Sequence, residues 1–278
     1  MVKFLFIGLF AYGNLLLSVV IAQSAVSKYE VSVTQEISQD STLNNLNKAI
    51  ESVEGYVTDE LYSNDPNYLA IFAKYFVESK GAKILIKDSV INELSQDDDM
   101  SLLPKLYTSK AYTLKSPKDI IYRMITEKED SIGAMVVIGL HSEFLDKKYY
   151  NKLFLKLGKQ TRDKYGMTHL YYGLKMIEKH NKSFLTSKSI HLANKIERKY
   201  LPLYLVENEN MDIRLETLAF LTEFKNPLLF MKDLEFVLNL QNNEGGFSYY
   251  YGGDYSNLHT SVLALWYLLN LRNSLYAK

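Results

Sequence analysis

The stretch LQNNEGGFSYYYGGDYSNLHTSVLALWYLL, residues 240–269, runs from the end of one helical pattern through a loop into a second. The second helical pattern is strongly apolar and contains Trp266, the only tryptophan. Glycine adopts positive φ at little cost, whereas the preceding Asn, Asn and Glu resist it. We therefore predict a tight turn with positive φ at Gly245 or Gly246, with Phe247 folded back and buried. The loop holds four of the 13 glycines, namely Gly245, Gly246, Gly252 and Gly253.

Helical periodicity continues outward from this stretch through most of the chain. One apolar stripe with spacings of three and four predicts a helix, and it comprises Leu43, Leu46, Ile50, Val53, Val57 and Leu61. Capping residues and prolines predict further helix starts at Asp65–Pro66, Ser116–Asp119, Asp146 and Asn226–Pro227. The run AKILIKDSVI, residues 82–91, is ambiguous between strand and helix, and its neighbours favour helix. The chain is thus predicted to be all-α.

Three segments share one plan and predict helices in antiparallel pairs. They are residues 162–180, 209–224 and 252–272, and each begins near an aspartate and includes a threonine. The aspartates, Asp163, Asp212 and Asp254, are separated by roughly 40 to 50 residues, a period typical of stacked helix pairs. The simplest interpretation of each aspartate is a helix N-cap.

The sequence NNEGGF, residues 242–247, follows Gln241 and precedes a polar loop and a Thr-containing apolar helix. This arrangement resembles the repeat of the α/α-toroid superfamily, which includes protein prenyltransferase β subunits, squalene cyclases and thioester-containing complement-like domains. The resemblance covers the C-terminal portion of the chain. It implies a complete or partial α/α toroid in which the glutamine packs against a neighbouring helix. The alternative is an open α-solenoid.

The stretch DYSNLHT, residues 254–260, resembles the segment in which prenyltransferase β subunits place a zinc-binding histidine. The resemblance would make His259 a metal ligand and Asp212 the aspartate ligand, with His169 as a further candidate. However, the chain has no cysteine for the family's thiolate ligand, and Arg214 would oppose a divalent cation. The acid motif of squalene cyclases is absent, and QDDDM, residues 96–100, is typical of a solvated turn. We therefore predict no cofactor and no metal, and the resemblance carries over the fold alone.

A candidate site follows from equivalent positions in two repeats. His169 and His259 both lie beside a threonine near a helix start. In a barrel of paired helices such starts converge on one mouth of the cavity, so we predict that the two imidazoles lie within ligand-bridging distance. The alternative is that both histidines cap helices. The candidate catalytic residues are His169, His259, Tyr165 and Asp254, and the candidate ligand-binding residues are Asp163, Asp212, Arg214 and Tyr255.

Composition narrows the function classes without selecting one. Lys plus Arg equals Asp plus Glu at 32 each, which gives no electrostatic case for nucleic-acid binding. The 22 tyrosines suit helix packing or a glycan pocket. The leading expectation is a protein that binds a polar ligand or a partner, either glycan or protein. The alternatives are a carbohydrate-active enzyme of lyase or glycosidase type, and a zinc-dependent transferase-like enzyme using His169, His259 and Asp212.

The N-terminal residues have the pattern of a signal peptide. Lys3 precedes an apolar run over residues 4–21, and small residues follow at Ala22 and Ser24. The predicted organisation is a signal peptide over 1–23, a flexible lead-in over 24–40 and one helical-repeat domain over 41–278. This predicts a secreted or periplasmic protein without a membrane span after cleavage. The alternative is an uncleaved N-terminal anchor.

Overall fold

The computed structural model describes residues 39–63, 69–70, 73, 77–90, 146–160, 163–207 and 209–277. These residues are mostly helical, and within these ranges there are two isolated β-bridges and no strand. The all-α prediction is confirmed for this part of the chain. The α-helices are α1 (Gln39–Ser63), α2 (Lys147–Gln160), α3 (Lys164–His180), α4 (Ser187–Lys199), α5 (Leu201–Tyr204), α6 (Met211–Phe224), α7 (Leu234–Leu238) and α8 (Leu258–Tyr276). Short 3₁₀ helices occupy Glu78–Lys80, Lys182–Phe184 and Pro227–Asp233.

Helix α1 forms from the apolar stripe that the periodicity predicts. Its buried positions recur every three or four residues, so one face of the helix lies in the core. They are Leu46, Ile50, Val53, Val57 and Leu61, none more than 4% exposed. The start of α1 lies beside the end of α8, where the Asn47 amide donates to the Tyr276 hydroxyl.

The helix prediction for residues 82–91 is wrong over residues 82–87, which have no regular secondary structure. Burial alternates there, with Ala82 and Ile84 inside and Leu85 72% exposed. Two of the backbone amides find acceptors on α1. Lys83 N donates to Glu54 Oε1 over 2.8 Å, and Leu85 N donates to Thr58 Oγ1 over 3.3 Å. Tertiary partners therefore replace the hydrogen bonds that a helix would make.

Helices α3, α6 and α8 run in the same direction, with α6 in the middle. Thr260 near the start of α8 contacts Asp212 near the start of α6, and Asn270 contacts Thr222 near their ends. Thr168 in the first half of α3 contacts Glu216 of α6. The last turns of α3 and α6 meet where Lys179 pairs with Glu223. The first turns of the three helices therefore lie at one end of the array.

The segments that connect α3 to α6 and α6 to α8 run back alongside these helices. Tyr171 of α3 donates to Glu197 in the last turn of α4, so α3 and α4 are antiparallel. After α6, Asn226 caps the next element as predicted, with its side chain accepting from Leu228 N. That element differs from the predicted single helix, because it begins as the 3₁₀ segment Pro227–Asp233 before α7. The Tyr267 hydroxyl of α8 donates to the Phe230 carbonyl and fixes this segment against the core.

The glycine-rich loop between α7 and α8 contains the predicted turn. Gly245 has φ of 94° and Phe247 is 1% exposed, so both parts of that prediction are confirmed. Phe247 N donates to Ser261 Oγ, which holds the loop on the first turn of α8. Gln241 Nε2 donates to the carbonyls of Ala49 on α1 and Gly245. The loop is therefore tied to two helices.

Several predicted features lie outside the described residues. These are the signal peptide over 1–23, most of the lead-in, the helix starts at Asp65–Pro66 and Ser116–Asp119, and the acidic stretch 96–100. Among the helices that the structure does describe, none is long and apolar enough to cross a membrane.

Candidate functional site

A buried carboxylate in the first turn of α6 is the centre of the site. Asp212 is 1% exposed, yet its two oxygens accept three hydrogen bonds. Oδ1 accepts from His259 Nδ1 over 2.9 Å and from Thr260 Oγ1 over 2.6 Å, and Oδ2 accepts from the Tyr165 hydroxyl over 2.7 Å. Asp212 thus joins α3 and α8 through α6. It is free to do so because Asn210 caps α6, accepting from Ile213 N.

His259 and Asp212 form an ion pair. Burial alone would raise the pKa of Asp212, but hydrogen bonds from His259, Thr260 and Tyr165 outweigh it and lower that pKa. Burial likewise opposes the charged form of His259, but the negative charge and hydrogen bond of Asp212 raise the pKa of the imidazole, with a further contribution from Glu216. An ionised Asp212 accepts a hydrogen bond from Nδ1–H, and in the imidazolium form Nε2 carries the second ring proton.

The His259 side chain is 30% exposed, in contrast to the carboxylate that it contacts. Within the part of the chain that the structure describes, Nδ1 is the ring nitrogen with a hydrogen-bond partner. The second nitrogen, Nε2, is therefore available to a molecule that approaches from solvent.

Glu216 lies one turn after Asp212 on α6 and adds a second buried carboxyl. It is 1% exposed and accepts a hydrogen bond from Thr168 Oγ1, while His169 Nδ1 lies 3.4 Å from its Oε1. Its other oxygen, Oε2, has no hydrogen-bond partner among the described residues. Burial raises the pKa of Glu216 more than the charges of His169 and His259 lower it.

His169 is held by contacts within α3 and with α6. Its Nδ1 lies 2.9 Å from the Tyr165 carbonyl, and its ring meets Phe220 edge-on with 5.9 Å between centroids. Its side chain is 21% exposed. Both histidines influence the same carboxyl group, Glu216. Bridging of the two imidazoles by one ligand stays a prediction.

Two tyrosines close one side of this polar cluster, which we define as Tyr165, Asp212, Glu216, His169 and His259. The Tyr165 hydroxyl lies 2.7 Å from the Tyr249 hydroxyl as well as from Asp212. Tyr249 also accepts from Asn210 Nδ2 over 3.1 Å. Burial and then the Tyr249 and Asp212 contacts raise the pKa of Tyr165. Tyr165 is therefore a neutral hydrogen-bond donor to Asp212.

The other predicted site residues lie outside the cluster. Asp163 is exposed and caps α3, since its Oδ1 accepts from Gly166 N over 2.6 Å. Arg214 lies 3.5 Å over the ring of Phe236 and 3.5 Å from Asp233 Oδ1, on the side of α6 that faces α7. Asp254 is exposed in the loop and Tyr255 is 85% exposed. Of the predicted site residues, the structure brings Asp212, Tyr165, His169 and His259 together. The other four, Asp163, Arg214, Asp254 and Tyr255, lie elsewhere.

The three aspartates of the repeat do not occupy equivalent positions. The caps of α3, α6 and α8 are Asp163, Asn210 and Asn257. An N-cap role is therefore correct for Asp163 and wrong for Asp212 and Asp254. The prediction matched the three segments by their aspartates. The N-cap, however, is the residue immediately before the first helical residue, and in α6 and α8 that residue is an asparagine.

Sequence reasoning missed Glu216 and Tyr249. Glu216 carried a signal, because it interrupts the apolar helix pattern of residues 211–224 at a position one turn after Asp212. A charged residue on a face that is otherwise buried requires a partner. Tyr249 gave no such signal, since three consecutive tyrosines occupy residues 249–251 and one alone turns to the cluster.

A further buried carboxylate, Glu223, shows what a purely structural ion pair looks like in this protein. It pairs with Lys80 over 2.6 Å and Lys179 over 3.0 Å, and it accepts from the Trp266 indole over 3.2 Å. Its partners are flexible ammonium groups at the far ends of the helices. Asp212 differs because its cationic partner is an oriented imidazole with a second, open nitrogen.

Comparison with known proteins gives no match. No family model matches it, and neither a curated protein nor a solved structure is significantly similar to it. Among the described residues there is also no group of three or more His, Cys, Asp or Glu side chains arranged to hold a metal ion.

Proposed function

We propose that this protein binds a polar ligand at the polar cluster, with His259 as the group that meets the ligand. The observation that carries the proposal is the asymmetry of the His259–Asp212 pair. Asp212 is buried and takes three donors, while the imidazole is partly exposed and its Nε2 has no hydrogen-bond partner among the described residues. A cation held in place by a buried anion is a preorganised hydrogen-bond donor.

The chemistry of this donor selects the ligand class. An imidazolium Nε2–H binds an acceptor, and a carboxylate is the strongest acceptor that a biological ligand commonly carries. Because the pKa of His259 is raised, the donor persists to a higher pH than for an ordinary histidine. Acidic saccharides built from uronic acids combine carboxylates with hydroxyl groups, and they are the class that we propose.

An acid–base enzyme is the second candidate, and one specific observation favours it. A carboxylate bound to Nδ1 fixes the tautomer and orientation of an imidazole whose Nε2 can then exchange protons with a substrate. A lyase acting on a uronate would require the neutral imidazole as a base beside the carbon next to the carboxylate, a form that His259 takes above its raised pKa. An acidic saccharide therefore tests both the binding function and the lyase function.

The metal-dependent alternative receives less support from the geometry. Both oxygens of Asp212 already accept hydrogen bonds from protein donors. A divalent ion there would compete with the raised proton affinity of His259, since a ligating imidazole must be neutral.

Our proposal places this site at one mouth of a complete or partial α/α toroid of an exported protein. The parallel course of α3, α6 and α8 supports stacked helix pairs. The segment after α3 contacts α3 through Glu197, and the segment after α6 contacts α6 through Asp233 and Phe236. The resemblance of residues 240–269 to the toroid repeat supports closure over an open solenoid. Export rests on the apolar pattern of residues 4–21.

Replacing His259 with glutamine is expected to reduce binding of oligogalacturonate at least tenfold. Glutamine retains a donor for Asp212 but lacks the positive charge, and a charge-assisted hydrogen bond is worth about 1.5–3 kcal/mol. Isothermal titration of oligogalacturonate into the full chain at pH 6 measures the change. Absorbance of an unsaturated product, recorded in parallel samples at a pH above the raised pKa of His259, reports lyase activity.

The matched control is His191→Gln, which makes the same substitution at an exposed histidine of α4. It should bind as the wild type does. Equal binding by wild type and His259→Gln would contradict the proposal, and so would the absence of saturable binding by the wild type. Product formation that His259→Gln abolishes would establish the enzyme in place of the binding protein.

A further inference from the structure

A cavity of about 200 Å³ lies between the first turns of α6 and the glycine-rich loop. Met211 and Leu215 form its floor, while Asn239, Ser248, Tyr250 and Tyr251 belong to its walls. Met211 and Leu215 occupy a different stripe of α6 from Asp212 and Glu216. The cavity is therefore separate from the polar cluster, although one helix serves both.

The lining of this cavity is uncharged. None of its lining residues is Asp, Glu, Lys, Arg or His. The polar groups are amides, hydroxyls and the backbone of Gly252 and Gly253. A ligand that fits is therefore neutral, because a charged group would lack a partner there.

The two tyrosines that line the cavity are exposed but held in place. Tyr250 and Tyr251 are 64% and 61% exposed. The ring of Tyr251 is parallel to that of Phe236 within 9°, with 6.4 Å between centroids, and the Arg214 guanidinium covers Phe236. The ring of Tyr250 meets that of Tyr249 at 4.7 Å. Exposed aromatic rings that are already oriented lose little freedom when a ligand packs on them.

Backbone hydrogen bonds fix the loop that carries these rings. Met211 N donates to the Tyr249 carbonyl over 2.9 Å, and Tyr251 N donates to the Glu209 carbonyl over 3.2 Å. Gly253 N donates to the Tyr250 carbonyl over 3.2 Å and closes the turn at Gly252, which has φ of 68°. The cavity wall is therefore formed before any ligand arrives.

One polar side chain of the wall has no role in holding the loop together. The Asn239 side chain is exposed and has no hydrogen-bond partner among the described residues, whereas the neighbouring Gln241 and Asn242 amides bond to the protein. An amide offers both a donor and an acceptor. Asn239 is thus the side chain best placed to bond to hydroxyl groups.

We infer that this cavity binds one ring of a neutral saccharide. The apolar face of a sugar ring packs on oriented tyrosine rings, and its hydroxyls bond to the Asn239 amide and to the loop backbone. Pockets for drug-sized ligands typically have volumes of about 300–1,000 Å³. The cavity is smaller than this, and its volume suits a single six-membered ring. The inference does not depend on the polar cluster.

The test uses full-length protein with a panel of neutral trisaccharides, namely maltotriose, cellotriose and N,N′,N″-triacetylchitotriose. Saturation-transfer NMR detects contact, and isothermal titration gives Kd. We expect at least one sugar to bind saturably, and Tyr251→Ala to weaken that binding at least tenfold. Asn239→Ala should weaken it by a smaller factor without affecting folding, because the side chain is exposed. Tyr276→Ala is the matched control, since Tyr276 is 62% exposed and lies outside the cavity.

Each other outcome overturns the inference. Binding of no sugar in the panel would do so, as would binding that neither Tyr251→Ala nor Asn239→Ala alters. Loss of neutral-sugar binding in His259→Gln would assign the sugar to the polar cluster. A protein partner that needs Tyr251 while no sugar binds would identify a protein-binding loop, since such loops are also rich in Tyr, Ser, Gly and Asn.

Discussion

Replacing Gly245 with alanine is expected to lower the free energy of unfolding by about 3 kcal/mol. Gly245 has φ of 94°, and an added Cβ would lie 2.4 Å from the Ser52 carbonyl oxygen of α1. Backbone strain at such a residue costs about 1 kcal/mol or more, and overpacking against a neighbour that cannot move costs about 1–3 kcal/mol. The obstacle is backbone, so rotation of a side chain cannot relieve it. Urea denaturation followed by circular dichroism measures the loss.

The matched control for this substitution is Gly252→Ala in the same loop. Gly252 also has positive φ, 68°, but an added Cβ would meet no atom within 4 Å. Its cost is expected to be about 1 kcal/mol, from backbone strain alone. Equal losses in the two variants would show that the contact with α1 does not matter. Gly246 does not have positive φ, so its replacement by valine would be disfavoured by contacts with Ser256 and Tyr56 instead.

Replacing Asp212 with alanine is expected to cost about 3 kcal/mol of stability near pH 6. The substitution removes the closer acceptor of the Thr260 hydroxyl, which is fully buried, and leaves it only Asn257 Oδ1 at 3.2 Å. The Tyr165 hydroxyl loses one of its two partners and keeps Tyr249. The substitution also leaves the His259 imidazole without its counter-ion. Loss of a hydrogen-bond partner costs about 1–3 kcal/mol for each buried group, and removal of one member of a buried pair costs about 3–5 kcal/mol. Because His259 is partly exposed, the expected loss of stability lies at the lower end of the range for a buried pair.

Asp254→Ala provides the comparison for this second substitution. Asp254 belongs to the same predicted repeat but is exposed in the loop, so its loss should change stability by no more than about 0.5 kcal/mol. Chemical denaturation of both variants and the wild type under one set of conditions is sufficient. A loss below about 1 kcal/mol for Asp212→Ala would show that the polar cluster does not hold the three helices together.

The sequence predicted the features of the fold that depend on local chemistry. The periodic stripe of α1, the Asn226 cap and the positive φ of Gly245 each follow from residue type and near neighbours. Residues 82–87 could not be predicted in this way. Their conformation depends on Glu54 and Thr58, which supply acceptors from a helix that is distant in sequence.

The candidate site was also predictable only where local residue patterns indicate it. Two histidines beside threonines indicated which helix starts converge, and Asp212 and Tyr165 were among the residues selected. Arg214 was selected with them because it is close in sequence, but residues two apart on a helix face different directions. Glu216, one turn from Asp212, is the residue that helical geometry brings to the same side.

The His259–Asp212 pair also predicts how stability changes with pH. The pKa of Asp212 is lowered and that of His259 is raised in the folded protein. The pair therefore stabilises the fold fully between the ordinary pKa values of 3.8 for the aspartate and 6.5 for the histidine. The contribution falls as pH drops through the lowered pKa of Asp212 and as pH rises through the raised pKa of His259.

An NMR pH titration of His259, in wild type and in Asp212→Ala, tests most directly whether a buried carboxylate holds this imidazole charged. We expect the His259 resonances of the wild type to titrate above pH 6.5, the ordinary value. In Asp212→Ala the midpoint should fall to 6.5 or below, because the burial that opposes the charge remains while its counter-ion is gone. A His259 midpoint at or below 6.5 in the wild type, or one that Asp212→Ala leaves unchanged, would contradict the account.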